Sequence, residues 1–278
     1  MTAHLAAPLA YIHITIDPVV FQFGGFAIHW YGLIMAVAAI VGTFVFAGQL
    51  EKRGINRSHA WNMLLLAVPL AIIGARLFHV LDNFSFYWHN PGDIVTKQLV
   101  GFAIYGVVTG GVLAVIIYCR WKRLPTWRAL DGLALAIPIG QLIGRCANII
   151  NGDTWGPATK LPFGLVYTNP HAFLPANLLG VPTQPTPIYE QLWLIVVIIA
   201  VWRIQPRLKT DGLAFLLYLG LYAFGRFFLS YLRVNNILFL GLREAQLIAL
   251  VVFIAVFPVG YWLRRRALRA APGAALEQ

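Results

Sequence analysis

Three arginines, Arg76, Arg145 and Arg226, stand inside stretches that are otherwise apolar. A guanidinium stays protonated at any working pH, so it is unsuited to base catalysis and suited to holding an anion. Its planar fork matches a phosphate in bidentate fashion. The densest setting is GRCANIINGDTWG, from Gly144 to Gly156, which follows an apolar run from Leu133 to Ile143 broken only by Gln141. It brings Arg145, Asn148, Asn151 and Asp153 close together in the chain. Arg145 and Asn148 share a helical face by their spacing, as do Tyr222 and Arg226 one turn apart. An arginine at membrane depth costs several kcal/mol unless it meets a partner, so a functional site is the default reading.

The elements that must position these groups are membrane spans. Of 278 residues, 59% are hydrophobic and 11% charged, against roughly 25% charged in an ordinary soluble domain. The composition predicts an all-α, polytopic integral membrane protein. The formal charge of +11 does not indicate a nucleic-acid partner, because the basic residues fall in short clusters between apolar runs, the pattern of cytoplasmic loops. Apolar stretches of about 20 residues predict seven spans, at 29–49, 60–81, 99–119, 131–151, 187–204, 212–232 and 245–263. One set of connections carries Lys52, Arg53, Arg57, Arg120, Lys122, Arg123, Arg128, Arg203, Arg207 and Lys209, and the tail adds Arg264, Arg265, Arg266 and Arg269. The opposite set holds only Lys97, Lys160, Arg233 and Arg243. The positive-inside rule then puts the C-terminus in the cytoplasm and the N-terminus outside. With that orientation Arg76, Arg145 and Arg226 each lie roughly 8–9 Å below the outer surface at 1.5 Å per residue. Three guanidinium groups at one depth predict an outward-facing phosphate site, which a phospholipid headgroup fits.

Tyr31, Tyr105, Tyr189, Glu190 and Tyr222 fall near the same layer. The bland reading, an interfacial aromatic belt, suffices for Tyr189 but less well for Tyr105 and Tyr222, which sit deeper. Asp82, Asp153, Glu190 and Glu244 are the candidate ion-pair partners for the arginines. Residues 1–270 read as a single integral membrane domain. Its outer loop, 152–186, is rich in proline with hydrophobic residues mixed in, and predicts an ordered cap. The opening residues 5–28 read as an interfacial segment, and 271–278 as a disordered cytoplasmic tail. Familiar catalytic sets are missing: there is no HExxH, the histidines lack metal-ligand spacing, and Ser58, Ser85 and Ser230 lie in no GxSxG. Cys146 reads as a small residue packed in an apolar helix. The attacking group must then come from a second substrate.

GRCANIINGDTWG resembles the signature of the prolipoprotein diacylglyceryl transferases, Gly-Arg-x-Gly/Ala-Asn-Phe-x-Asn-x-Glu-x-x-Gly, and the likeness runs from HWYG at His29 to the final span. The resemblance implies an enzyme of the bacterial inner membrane. Such an enzyme moves the diacylglyceryl group of phosphatidylglycerol to the lipobox cysteine thiol of a prolipoprotein, forming a thioether and releasing glycerol 1-phosphate, with no metal or organic cofactor. It implies catalytic roles for Arg145, Arg226 and Tyr105, and substrate contacts from Tyr31, Arg76, Gly106, Asn148, Asn151, Asp153 and Gly156, to which the polar layer adds Tyr222 and Glu190. Four positions depart from the pattern. Asp153 replaces the usual Glu and Ile149 the signature Phe. Tyr105 stands where many members have a His proposed as the thiol's base; a base role would need a strongly lowered pKa, since tyrosine ordinarily titrates near 10. Ser230, one turn after Arg226, stands where members often have Glu, so Arg226 needs another counter-ion. Two other readings use the same arginine layer: a lipid-binding or transport protein, against which no repeat-related halves are visible, and a family member that binds without transferring.

Overall fold

Apolar length sets the helices. The computed structural model describes residues 11–93, 104–234, 237–239 and 241–270. Their helices are α1 (Trp30–Glu51), α2 (Ser58–Asp82), α3 (Phe84–His89), α4 (Ile104–Trp121), α5 (Thr126–Asn151), α6 (Thr186–Ile204), α7 (Leu213–Leu229) and α8 (Glu244–Ala270). Among the described residues, six helices are long and apolar enough to cross a membrane: α1, α2, α5, α6, α7 and α8. The apolar part of α4, Thr109–Trp121, is shorter, and the expected third span, 99–119, begins outside the described residues. The proposed tail, 271–278, also lies outside them. Pro69, Pro138 and Pro258 sit inside α2, α5 and α8, where neighbouring helices and local adjustment can satisfy the freed carbonyls.

Strands occupy the remainder: β1 (Ile12–Ile14), β2 (Val19–Phe23), β3 (Phe26–His29), β4 (Leu165–Tyr167), β5 (Ile237–Phe239) and β6 (Leu242–Arg243). The described part of the opening segment, from residue 11, is thus built of paired strands. β2 and β3 form a hairpin whose turn uses Gly24 at φ +56°, the positive φ a two-residue turn requires. β1 pairs in parallel with β4 of the long loop, Ile12 opposite Leu165 and Ile14 opposite Tyr167. Leu165, Tyr167 and Leu174 form a small core, with Ile14, Trp155, Leu178 and Ile188 packed on it. Thr183 accepts and donates backbone bonds with Leu165, both at 2.9 Å. The loop is thus an ordered cap, because it buries its own apolar residues and answers its own backbone. Asp17 ties the opening segment to it through His171 Nδ1 at 2.8 Å.

The chain forms two compact units, 1–42 with 134–278, and 43–133. In the smaller unit, α2 and α4 touch through backbone. A Cβ on Gly106 would fall on Gly74 and Ala75, and one on Gly110 would fall on Leu70 and Ala71. Gly106 and Gly110 make a GxxxG pair, the spacing that lets membrane helices approach closely. Gly111 meets nothing within 4 Å. Gly110→Val is therefore expected to destabilise by about 1–3 kcal/mol or more through overpacking, while Gly111→Val changes little. Unfolding midpoints of the two variants in detergent check the difference. At the other end of α4, Tyr118 is buried beside His59 Nδ1 at 2.9 Å and accepts from Asn62 Nδ2 at 3.1 Å.

A buried arginine cluster around Glu190

The signature helix α5 ends where it must for Asp153 to turn back. Gly152 follows the last helical residue at φ +72° and its N–H donates to Asn148 O at 2.9 Å, a left-handed cap that suits glycine. A Cβ there would also crowd the Tyr167 ring at 3.1 Å. The reversal lets Asn148 Nδ2 donate to Asp153 Oδ1 at 2.9 Å, and Asn148 Oδ1 accept from Arg145 Nη1 at 2.8 Å. Asn148 thus links a guanidinium to a carboxylate. Tyr167, in the cap, is buried beside this carboxylate, and burial with the Asp153 charge holds its phenol protonated well above the ordinary range.

The second strut is the start of α6. Pro187 sits in its first turn, where no N–H is needed, and Thr186 Oγ1 donates to Thr154 O at 2.7 Å. This places Glu190 near the positive end of a helix, favourable for a carboxylate. Glu190 is 5% exposed and takes three cations. Arg145 Nε lies 2.6 Å from Oε2 and Arg226 Nη1 2.9 Å from Oε1. Arg233 Nε lies 2.9 Å from Oε1 but off the hydrogen-bond direction, so its hydrogen bond runs from Nη2 to Oε2 at 3.2 Å. Three guanidinium charges against one carboxylate leave the cluster doubly positive. Burial pulls the pKa of Arg233 down to about 10, opposed by Glu190 and aided by Arg226 and Arg145; it remains a cation at neutral pH.

The third strut is the end of α7. Three of its terminal carbonyls, the groups a helix end leaves orphaned, are answered by side chains. Ser230 Oγ donates to Arg226 O at 2.6 Å, Gln246 Nε2 to Phe227 O at 3.2 Å, and Arg243 Nη1 to Ser230 O at 2.7 Å. A 3₁₀ turn over Ser230–Leu232 then brings Arg233 back beside Arg226. One turn below the cluster, Tyr218 is buried and its hydroxyl donates to Gln141 Oε1 at 3.2 Å, pinning α7 to α5.

Arg145, Glu190, Tyr222 and Arg226 line one cleft together with Trp193, Leu194 and Leu229. A charged floor with apolar walls suits an amphiphile with an anionic head. The expected residues Arg145, Asn148, Asp153, Glu190, Tyr222 and Arg226 converge here, and Tyr31 lies close enough to feel the charges of Asp153 and Arg145. Glu190 is the counter-ion that Ser230 does not supply. Asn151 is buried, its carbonyl accepting from Phe173 N at 2.9 Å. Gly156 is a contact position: a Cβ would lie 2.8 Å from both Gln184 Cβ and Leu232 O. Gly156→Ala should therefore shift the cap against the end of α7, lowering the unfolding midpoint and disturbing Arg233, whereas Gly25, with open space around it and no left-handed backbone, is the matched position for comparison. Arg76 and Gly106 belong to the other unit, where Arg76 Nη2 donates to Asp93 O at 2.9 Å and its guanidinium lies 5.4 Å from the Tyr87 ring centroid. The side chain of Tyr105 lies outside the described residues. Cys146 is exposed, not packed as expected, with Gln191 Nε2 3.3 Å from its sulfur.

Sequence reasoning missed Arg233 as a cluster member, counting it only as an outer-loop cation. The available signal was its position two helical turns after Arg226. Gly152 was also missed, although a glycine directly after an apolar helical run is a stop signal.

The fold is that of a polytopic helical membrane protein, with three arginines gathered on one buried carboxylate among its helices. The family model for prolipoprotein diacylglyceryl transferase matches residues 18–262, and the chain belongs to that family. It is 33% identical to the phosphatidylglycerol–prolipoprotein diacylglyceryl transferase of Pediococcus pentosaceus over 91% of this chain and 92% of that protein. The enzymes of the same name from Ligilactobacillus salivarius and Clostridioides difficile are each 34% identical, covering 90% and 84% of this chain and 94% and 90% of theirs.

Proposed function

We propose that this protein transfers the diacylglyceryl group of phosphatidylglycerol to the lipobox cysteine of prolipoproteins at the Arg145–Arg226–Arg233 cluster. The observation that carries the site assignment is the double positive charge left when three arginines share Glu190. A phosphodiester carries one negative charge, and the monoester it becomes on departure carries about 1.5 to 2 at neutral pH. Groups placed where charge develops lower the barrier most. In the reaction, the cysteine sulfur forms a bond to the glycerol carbon that bears the phosphate ester. That carbon–oxygen bond breaks, and glycerol 1-phosphate leaves with the electron pair. Arg145 Nη2 meets no acceptor among the described residues and is assigned to the phosphate. Tyr31, Asn148 and Tyr222 orient the headgroup, Trp193, Leu194 and Leu229 flank the acyl chains, and the thiol proton ends on the departing phosphate monoester.

In this reading the protein has seven spans, with α4 as the third, the N-terminus outside and the site facing outwards in a bacterial inner membrane. The cap over 152–186 then guides the prolipoprotein's signal segment. Purified protein incubated with phosphatidylglycerol labelled in its acyl chains and a lipobox peptide should place label on the cysteine as a thioether. Unlabelled peptide, with labelled lipid instead moved between leaflets in peptide-free vesicles, would favour transport and overturn the proposal.

A further inference from the structure

Arg233 borders a second cleft as well as the Glu190 cluster. Its other lining residues are Asp153, Thr154, Trp155 and Val234. A negative charge near a phosphate site weakens anion binding, so the Asp153 carboxylate must do something other than hold the phosphate. Its two hydrogen bonds, from Asn148 Nδ2 at 2.9 Å and Thr154 Oγ1 at 3.2 Å, both fall on Oδ1. Among the described residues Oδ2 has no partner, and neither does Arg233 Nη1. The cleft therefore offers one free acceptor on a carboxylate and one free donor on a guanidinium.

We propose that this cleft selects the free end of the lipid headgroup and is built for a neutral vicinal diol. The inference rests on the reading of the phosphate site above. With phosphate on the cluster side of Arg233, the terminal glycerol of phosphatidylglycerol reaches the second cleft. Its hydroxyl hydrogens go to Asp153 Oδ2 and a hydroxyl oxygen accepts from Arg233 Nη1. A hydroxyl serves both roles, donor and acceptor. An ethanolamine head has only donors, so it leaves Arg233 unanswered and sets a second cation beside it. A bare phosphate leaves both groups unanswered and meets the carboxylate's repulsion. Sites built around hydrogen bonds to a hydroxyl reject analogues lacking it, because the buried partners are then unpaired.

The test compares glycerol 1-phosphate, phosphoethanolamine and inorganic phosphate as ligands, with affinities read by calorimetry on the purified protein. Because no transfer is needed, a failure of the enzymatic reading leaves this measurement intact. The wild type should prefer glycerol 1-phosphate over each of the others by at least about tenfold. Asp153→Asn keeps an oxygen for Asn148 but replaces the free acceptor by a donor. It should erase that preference while binding inorganic phosphate as well as or better than the wild type. Asp153→Glu should retain the preference. Equal weakening of all three ligands in Asp153→Asn would mean that Asp153 only supports Asn148, and would overturn the proposal. So would a wild type without preference.

Discussion

Glu190→Ala is expected to unfold at lower temperature than any single arginine variant and to be rescued by phosphate. Glu190 is the shared partner of Arg145, Arg226 and Arg233, and its side chain is almost wholly buried. Removing one member of a buried ion pair costs about 3–5 kcal/mol, because the remaining charge is left uncompensated. Here three cations are left within a few ångströms of one another. Removing any one arginine instead leaves the carboxylate with two partners. The same excess charge makes the cavity of the variant a stronger anion site. Millimolar inorganic phosphate should therefore raise its melting midpoint more than it raises that of the wild type, since a ligand bound only by the folded state stabilises it. Glu190→Gln keeps the shape and loses the charge, so it should fall between the two. Thermal scans in detergent with and without phosphate measure all three. A Glu190→Ala variant as stable as the wild type and indifferent to phosphate would show that the arginines are held by something else.

Arg145→Ala and Arg226→Ala should each lower kcat by about 10²–10³-fold, the usual cost of one donor at a site of developing charge. Transition-state arithmetic makes that about 3–4 kcal/mol in the barrier. The two losses should not add in the double variant, because both residues contact one carboxylate and removing either frees the other to move. Lysine at either position should recover part of the rate only. A lysine supplies the charge but not the fork that lets Arg145 hold Glu190 through Nε and Asn148 through Nη1 at once. Single-turnover transfer from labelled phosphatidylglycerol to a lipobox peptide separates this loss from a loss of lipid binding. Undiminished transfer by both alanine variants would remove the cluster from the mechanism.

The helices were legible because their determinants are local. A run of apolar residues long enough to span must bury its backbone polar groups in its own hydrogen bonds, and the expected spans from 29–49 to 245–263 find α1, α2, α5, α6, α7 and α8, although α5 starts earlier, at Thr126, and α8 runs on to Ala270. The Arg145–Asn148 pair was legible for the same reason, since helical spacing alone puts them on one face. The strands of the opening segment were not legible: β1 acquires its partner from β4, about 150 residues further along, and no local pattern announces such a pairing.

By depth, Arg76, Arg145 and Arg226 form one layer. The structure clusters Arg145 and Arg226 with Arg233, and places Arg76 in a different unit, against Asp93 O and Tyr87. Depth is a one-dimensional quantity that the sequence carries through the 1.5 Å rise of a helix. Which side chains meet also depends on rotation and on where each helix stops. The sequence by itself determined the membrane class, the family signature and the arginine–asparagine face. Tertiary structure decided that Glu190 is the common counter-ion, that the 3₁₀ turn after Arg226 returns Arg233 to it, and that the left-handed Gly152 folds Asp153 back onto Asn148. The physical reason is that a buried charge must find its partner wherever the packed helices bring one within reach, and that choice is made across the chain.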